Sequence, residues 1–209
     1  MAILVDSADT DEVRRALELG FVAGVTTNPT LIAKVKRPGL EVLDDLLRMT
    51  EGPVFYQVTA ETLSGREAQA REAAAKAPGR VVIKIPATTE NLALAARLGR
   101  EGIRCAITAV SSAAQAYTAA MAGADYAIPY VNRLTRQLGD GIAVVRDCAA
   151  VVRNSQTKIL AASLKTPEEV VAAILAGAED VTLPLDVLLA MGEHELSHRA
   201  IADFAASLR

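Results

Sequence analysis

Short apolar runs rich in β-branched residues recur along the chain, each followed by a longer stretch whose apolar positions return at helical spacing. The runs fall at 3–6, 24–27, 54–58, 81–85, 104–108, 126–131, 159–162 and 181–183, which predicts eight strands. Between them, Ala- and Leu-rich segments with one polar face predict helices, most clearly over 9–19, 64–77, 90–100 and 142–153. The unit repeats about every 25 residues, near the lower limit for an eight-fold barrel. Alternating strands and helices imply a parallel sheet with right-handed crossovers, either open or closed on itself. An open nucleotide-binding sheet carries a glycine-rich turn after its first strand. Here that turn reads Asp6-Ser7-Ala8-Asp9, without glycine. The fold class read from the chain is therefore α/β, a single-domain (β/α)8 TIM barrel over 1–209.

Local signals agree with this division. Asp9 or Ser7 can cap the first helix, and Glu12 stands three residues after Asp9 as in a capping box. Thr166-Pro167-Glu168-Glu169 reads as another helix start. Gly20, Gly102 and Gly177 follow helical patterns and can end them.

Composition narrows the function. Aromatic residues make up 3% of the chain and there is no Trp, so Ala, Val, Leu and Ile must build the core. A net charge of -3 supplies no basic field, which argues against a nucleic-acid partner. Cys105 and Cys148 lie in apolar or helical patterns without a nearby His, and read as buried filler rather than reactive thiols. The first residues turn acidic at once, unlike a signal peptide, and no apolar stretch is long enough to span a bilayer. A cytoplasmic protein with no membrane partner is the expectation.

Barrel chemistry belongs at the C-terminal ends of the strands. The polar residues closing the apolar runs are Asp6; Thr26, Thr27 and Asn28; Gln57; Lys84; Thr108; Tyr130 with Asn132 and Arg133; Ser163; and Thr182. Nearly every strand thus delivers a hydrogen-bonding group to one rim. Lys84 lies inside Val81-Val82-Ile83-Lys84-Ile85-Pro86. Burial there lowers a lysine's pKa and leaves more free amine, a nucleophile for carbonyl carbon. A lysine that snorkels to the barrel mouth, or pairs with Asp6, satisfies the same position.

The segments Ala23-Gly24-Val25-Thr26-Thr27-Asn28-Pro29-Thr30, Val82-Ile83-Lys84-Ile85-Pro86, Pro129-Tyr130-Val131-Asn132-Arg133, Ala161-Ala162-Ser163-Leu164-Lys165-Thr166 and Thr182-Leu183-Pro184-Leu185 decide between those accounts. Together they resemble the small transaldolase family, which includes fructose-6-phosphate aldolase, and the resemblance covers essentially the whole chain. It implies a Schiff base on the fourth-strand lysine, here Lys84. It also implies no metal or other cofactor. Sugar phosphates or dihydroxyacetone would be the small-molecule partners. A homo-oligomer is implied too, a pentamer or decamer in which the C-terminal helix contacts a neighbouring subunit. Gln57 and Tyr130 look like the aldolase branch, where the transaldolases carry Glu and Phe. Ile128 is larger than the aldolase pattern suggests, and would narrow the donor site if it faced the pocket.

On this resemblance Lys84, Asp6, Tyr130, Gln57 and Thr108 are the expected catalytic residues. Asp6 would move the proton of the leaving aldehyde's hydroxyl, while Tyr130, Gln57 and Thr108 would hold a water that shuttles protons. Thr26 and Asn28 would bind donor hydroxyls; Arg133, Ser163 and Lys165 would bind phosphate. The leading expectation is a class I aldolase cleaving or forming fructose 6-phosphate. The alternatives are a transaldolase of the pentose phosphate pathway, a non-catalytic sugar-phosphate-binding barrel, and an oligomeric scaffold with a vestigial site. His194-Glu195-Leu196-Ser197-His198 matches a zinc-protease pattern, but no Glu follows His198 to complete the ligands. It is expected to lie on a terminal outer helix.

Overall fold

Each apolar run forms a strand, and each strand pairs in parallel with its sequence neighbours until the eighth closes on the first. No strand edge is left to cover. The computed structural model describes residues 1–208. In chain order the elements are β1 (Ala2–Asp6), α1 (Thr10–Leu17), β2 (Val22–Thr26), α2 (Pro29–Val35), α3 (Gly39–Met49), β3 (Val54–Gln57), α4 (Leu63–Lys76), β4 (Val81–Pro86), α5 (Thr89–Arg100) and β5 (Cys105–Val110). Then come α6 (Ala113–Met121), β6 (Tyr126–Pro129), α7 (Val131–Leu138), α8 (Gly141–Val152), β7 (Lys158–Ala161), α9 (Pro167–Leu175), β8 (Asp180–Leu183), α10 (Leu185–Ala190) and α11 (Glu195–Ser207). The chain is a (β/α)8 TIM barrel.

Two apolar layers follow from the two-residue period of a strand. Val5, Val25, Val54, Val81, Ile83, Ile85, Ile107, Ile159, Val181 and Leu183 face outward and pack beneath the helices. Leu4, Phe55, Val82, Ala106, Tyr126, Ile128, Leu160 and Ala162 face inward and fill the barrel. Ile128 therefore belongs to the packed interior, 1% exposed. It does not line the cavity at the mouth.

The structure adds α2, α3, α6, α7 and α10 to the helices expected from periodicity. The α2 and α10 segments are short, and α6 is so rich in Ala that its polar face is weak. β2 begins two residues earlier than expected and β5 ends two later, whereas β6 was expected to run to 131. It ends at Pro129, and Val131 opens α7 instead. Tyr130 makes only an isolated bridge to Ala162.

Asp9 caps α1, accepting from the backbone N–H of Asp11 and Glu12. Glu12 does not reach back to Asp9 as a capping box would. It accepts from Ser7 Oγ at 2.5 Å, and Ser7 Oγ in turn accepts the Asp9 N–H. Thr166 caps α9, with Pro167 in its first turn. Gly20, Gly102 and Gly177 all adopt positive φ just beyond helices. Both cysteines are buried, and burial pushes the thiol of Cys105 up to about 12 and that of Cys148 up to about 11. Among the described residues no helix is long and apolar enough to cross a membrane. The α11 helix buries none of its residues and leaves Leu196, Ile201 and Phe204 exposed.

Gly24 sets how closely β2 approaches the start of β3. A Cβ there would stand 2.4 Å from the Pro53 carbonyl oxygen, the same oxygen that accepts the Val25 N–H. Gly24→Ala should lower unfolding stability by about 1–3 kcal/mol, the range typical of overpacking. Urea denaturation would read this as a lower midpoint at constant slope. An unchanged midpoint would show that β2 can shift without cost.

Candidate active site

The parity that fills the barrel also builds the site. Continuing each inward-facing row by two residues leads from Leu4 to Asp6, Phe55 to Gln57, Val82 to Lys84, Ala106 to Thr108 and Ile128 to Tyr130. These groups meet where the interior opens into a cavity of about 410 Å³. Asp6, Asn28, Gln57, Lys84, Tyr130, Arg133, Ser163 and Lys165 line it. Thr26 and Thr108 do not. Thr26 Oγ1 bonds Asp6 and Thr182, and Thr108 Oγ1 bonds Tyr130. Thr182, from the rim, also lines the cavity.

Lys84 is 4% exposed, and its Nζ donates to the Thr27 carbonyl oxygen at 2.7 Å. The expected alternative, a contact ion pair with Asp6, does not form; the backbone of β2's end holds the amine instead. Burial lowers the pKa of Lys84, and the Asp6 carboxylate only partly opposes this. Lys84 Nζ carries a nucleophilic lone pair once deprotonated, and the Thr27 oxygen orients it by accepting one of its two N–H groups.

Asp6 Oδ1 accepts from Thr26 Oγ1 at 2.8 Å, and Thr26 Oγ1 lies 2.6 Å from Thr182 Oγ1. This chain joins three adjacent strands and fixes the carboxylate. Burial raises Asp6 above the usual carboxylate range, against the opposing effects of Lys84, the Thr26 hydrogen bond and Lys165. A carboxyl whose proton affinity is raised by burial is a stronger base for a neighbouring hydroxyl.

Across the mouth, Tyr130 Oη lies 2.7 Å from Thr108 Oγ1. The register of β5 against β6 shifts between Thr108 and Val110, with Ala109 at φ 57°. Such a bulge re-aims neighbouring side chains. Burial raises the Tyr130 phenol, which keeps it protonated and able to donate. The Arg133 guanidinium sits 4.7 Å from the centre of the Tyr130 ring. A cation–π contact of this kind contributes about 0.5–1 kcal/mol at an exposed site. Gln57 Oε1 is buried and makes no hydrogen bond to any described residue.

Asn28 caps α2, its Oδ1 accepting from Leu31 N–H at 3.0 Å. Its Nδ2 is left as a donor at the cavity wall. Ser163 has φ 59°, a left-handed conformation that costs a non-glycine residue about 1–3 kcal/mol. The lining groups include cationic Arg133 and Lys165 beside the single carboxylate of Asp6. The mouth thus favours anions within a chain whose net charge is -3. A larger groove of about 550 Å³ runs between α5 and α6, but no ionisable side chain lines it.

Two features were not readable as site elements from the sequence: the Thr27 carbonyl, and Glu169, which bonds Asn132 beside Arg133 and the Lys165 N–H near Ser163. The Thr-x-x-Glu spacing from Thr166 was the only signal for the latter. The histidine motif forms no shared helical face. His194 lies outside α11 and caps it through Nδ1, whereas His198 Nε2 pairs with Glu193 at 2.5 Å. No group of three or more potential metal-ligating side chains occurs among the described residues.

Residues 3–208 match the family model described as Transaldolase/Fructose-6-phosphate aldolase. A probable transaldolase of Heliobacterium modesticaldum is 41% identical over 206 residues, covering 98% of this chain and 95% of that one. A probable transaldolase of Desulforamulus reducens is 40% identical, covering 99% and 96%. One of Caldicellulosiruptor saccharolyticus is 39% identical, covering 98% and 95%. Among solved structures, inosine 5'-monophosphate dehydrogenase from Legionella pneumophila aligns with a TM-score of 0.59 at 17% identity. That alignment covers 89% of this chain and 58% of the dehydrogenase, a likeness of barrel fold alone.

The environment of Lys84 yields a pH prediction. Because its pKa is lowered from 10.5, the reactive amine forms at lower pH than in a solvated lysine. Borohydride-trapped adduct with dihydroxyacetone should therefore level off below pH 10.5. Asp6→Asn removes the charge that raises Lys84, so its midpoint should fall further. A wild-type profile still climbing at the solvated-lysine value would overturn this account.

Proposed function

Because the chain belongs to the Transaldolase/Fructose-6-phosphate aldolase family, we propose that it is a class I aldolase that cleaves or forms fructose 6-phosphate through a Schiff base on Lys84. Lys84 Nζ adds to the C2 carbonyl of the sugar, and loss of water leaves an iminium. Asp6 takes the proton of the C4 hydroxyl. The C3–C4 bond then breaks, its electron pair passing to the iminium to give an enamine, and glyceraldehyde 3-phosphate departs. Protonation of the enamine at the former C3 regenerates an iminium, which water hydrolyses to dihydroxyacetone and free Lys84. The Asn28 amide holds the donor's hydroxyl groups, with Thr26 and Thr182 acting through Asp6. Arg133, Ser163 and Lys165 hold the phosphate.

One observation carries the choice of aldolase: Tyr130 Oη, held by Thr108 at 2.7 Å, shares the cavity with Lys84 and with the unpaired oxygen of Gln57. Water held between Tyr130 and Gln57 would protonate the enamine, so no acceptor aldehyde is needed. The relatives, named probable transaldolases, favour a second reading, transaldolase, in which the enamine waits for an aldehyde acceptor.

The same reading includes a homo-oligomer of the pentamer or decamer class. The exposed Leu196, Ile201 and Phe204 of α11 supply an apolar face for a neighbouring subunit. Ile201→Glu combined with Phe204→Glu should reduce the mass measured by analytical ultracentrifugation. Unchanged mass would remove α11 from the contact.

The deciding assay follows glyceraldehyde 3-phosphate released from fructose 6-phosphate, with and without erythrose 4-phosphate. Release without acceptor, abolished in Lys84→Met, is the expected outcome. Tyr130→Phe should slow that release on the order of 10²-fold, as expected on loss of a positioned proton donor, while leaving transfer to erythrose 4-phosphate less affected. Release that requires the acceptor in the wild type would make transaldolase the activity.

A further inference from the structure

We propose that Glu169 is a positioning residue for the phosphate end of this cavity, holding the first turn of α7, which supplies Arg133, to the β7–α9 loop, which supplies Ser163 and Lys165. The inference rests on the reading of those three residues as phosphate ligands. Arg133 comes from the first turn of α7, whereas Ser163 and Lys165 come from the loop between β7 and α9. Glu169 spans the gap with both carboxylate oxygens. Oε1 accepts from Asn132 Nδ2 at 2.8 Å, and Oε2 accepts from Lys165 N–H at 2.7 Å.

A helix cap alone does not account for this arrangement. A glutamate three residues after a Thr cap would return to the cap's own backbone N–H. Glu169 instead reaches one residue further back and, with its other oxygen, to Asn132 in the first turn of α7. Its own N–H is the group that bonds Thr166 Oγ1, so the cap survives without the side chain.

The clamped backbone is the one that needs holding. Ser163 lies in the left-handed region, and its carbonyl accepts from Asn132 N–H at 3.0 Å. Glu169 grips both flanks, Asn132 on one side and Lys165 on the other. A displacement of the order of 1 Å in such a contact can cost about 10²-fold in rate, so holding the backbone there sets the geometry that phosphate meets. The carboxylate's negative charge opposes an anion nearby, and that gives the proposal a sign to test.

The test compares the wild type with Glu169→Ala and Glu169→Gln. Titration calorimetry with inorganic phosphate reads the site without using Lys84. The expected result is about five- to tenfold weaker binding in Glu169→Ala and an intermediate value in Glu169→Gln, whose amide oxygen still accepts one N–H. Tighter phosphate binding in Glu169→Ala would mean that the carboxylate acts only by charge, and would overturn the proposal. In kinetics, KM for glyceraldehyde 3-phosphate with dihydroxyacetone should rise in Glu169→Ala, whereas kcat/KM for unphosphorylated glyceraldehyde should stay within about twofold. Equal losses with both aldehydes, or a lower melting temperature with unchanged KM, would assign Glu169 to helix stability alone. Borohydride trapping of dihydroxyacetone on Lys84 is the separate control. Its absence in the wild type would defeat the aldolase reading while the phosphate titration still decides the role of Glu169.

Discussion

A primary amine sits inside an apolar barrel, and much of the mouth is arranged around that fact. Lys84 occupies the inward row of β4, two residues above Val82, where its charge is poorly solvated. The hydrogen bond to the Thr27 carbonyl satisfies the nitrogen in either protonation state, because both states keep an N–H. The Asp6 carboxylate supplies opposite charge without contact, so the amine is neither neutralised by a tight pair nor left without compensation. Asp6 in turn depends on Thr26, and Thr26 on Thr182. A side chain whose burial is costly is thus supported by three neighbouring strands.

The barrel makes this support possible by separating two tasks along each strand. Outward residues hold the helices and inward residues below the mouth fill the interior, with Phe55 and Tyr126 meeting edge to face at 5.1 Å between ring centroids. At the mouth, the last inward position of β1, β3, β4 and β5 is the one freed for the site's polar groups. A polar side chain one position earlier would fall in the outward apolar layer, and two positions earlier in the packed interior.

That rule explains what the sequence disclosed. Alternation placed Asp6, Gln57, Lys84, Thr108 and Tyr130 on one rim because each ends an apolar run in the same phase. It did not reveal the acceptor for Lys84, since a backbone carbonyl at the end of β2, two strands away, carries no residue-type signature. Nor did it separate Thr26 from the groups that line the cavity, because parity gives a side chain's direction but not its hydrogen-bond partner. The turn after Tyr130 was misplaced by the same apolar continuity that marked β6: Val131 is buried as a helical residue and reads in sequence like one more strand position. The histidine pair shows the converse, a spacing that matches a motif while the helix begins one residue too late to display it.

The cationic mouth has a consequence for the encounter that precedes chemistry. The chain as a whole is anionic, so a phosphorylated solute is repelled at long range and attracted only close to Arg133 and Lys165. Salt shortens the reach of both effects, to about 8 Å at physiological ionic strength. Beyond that distance a sugar phosphate and an uncharged triose diffuse alike. Within it they are sorted by charge, before either has touched the amine.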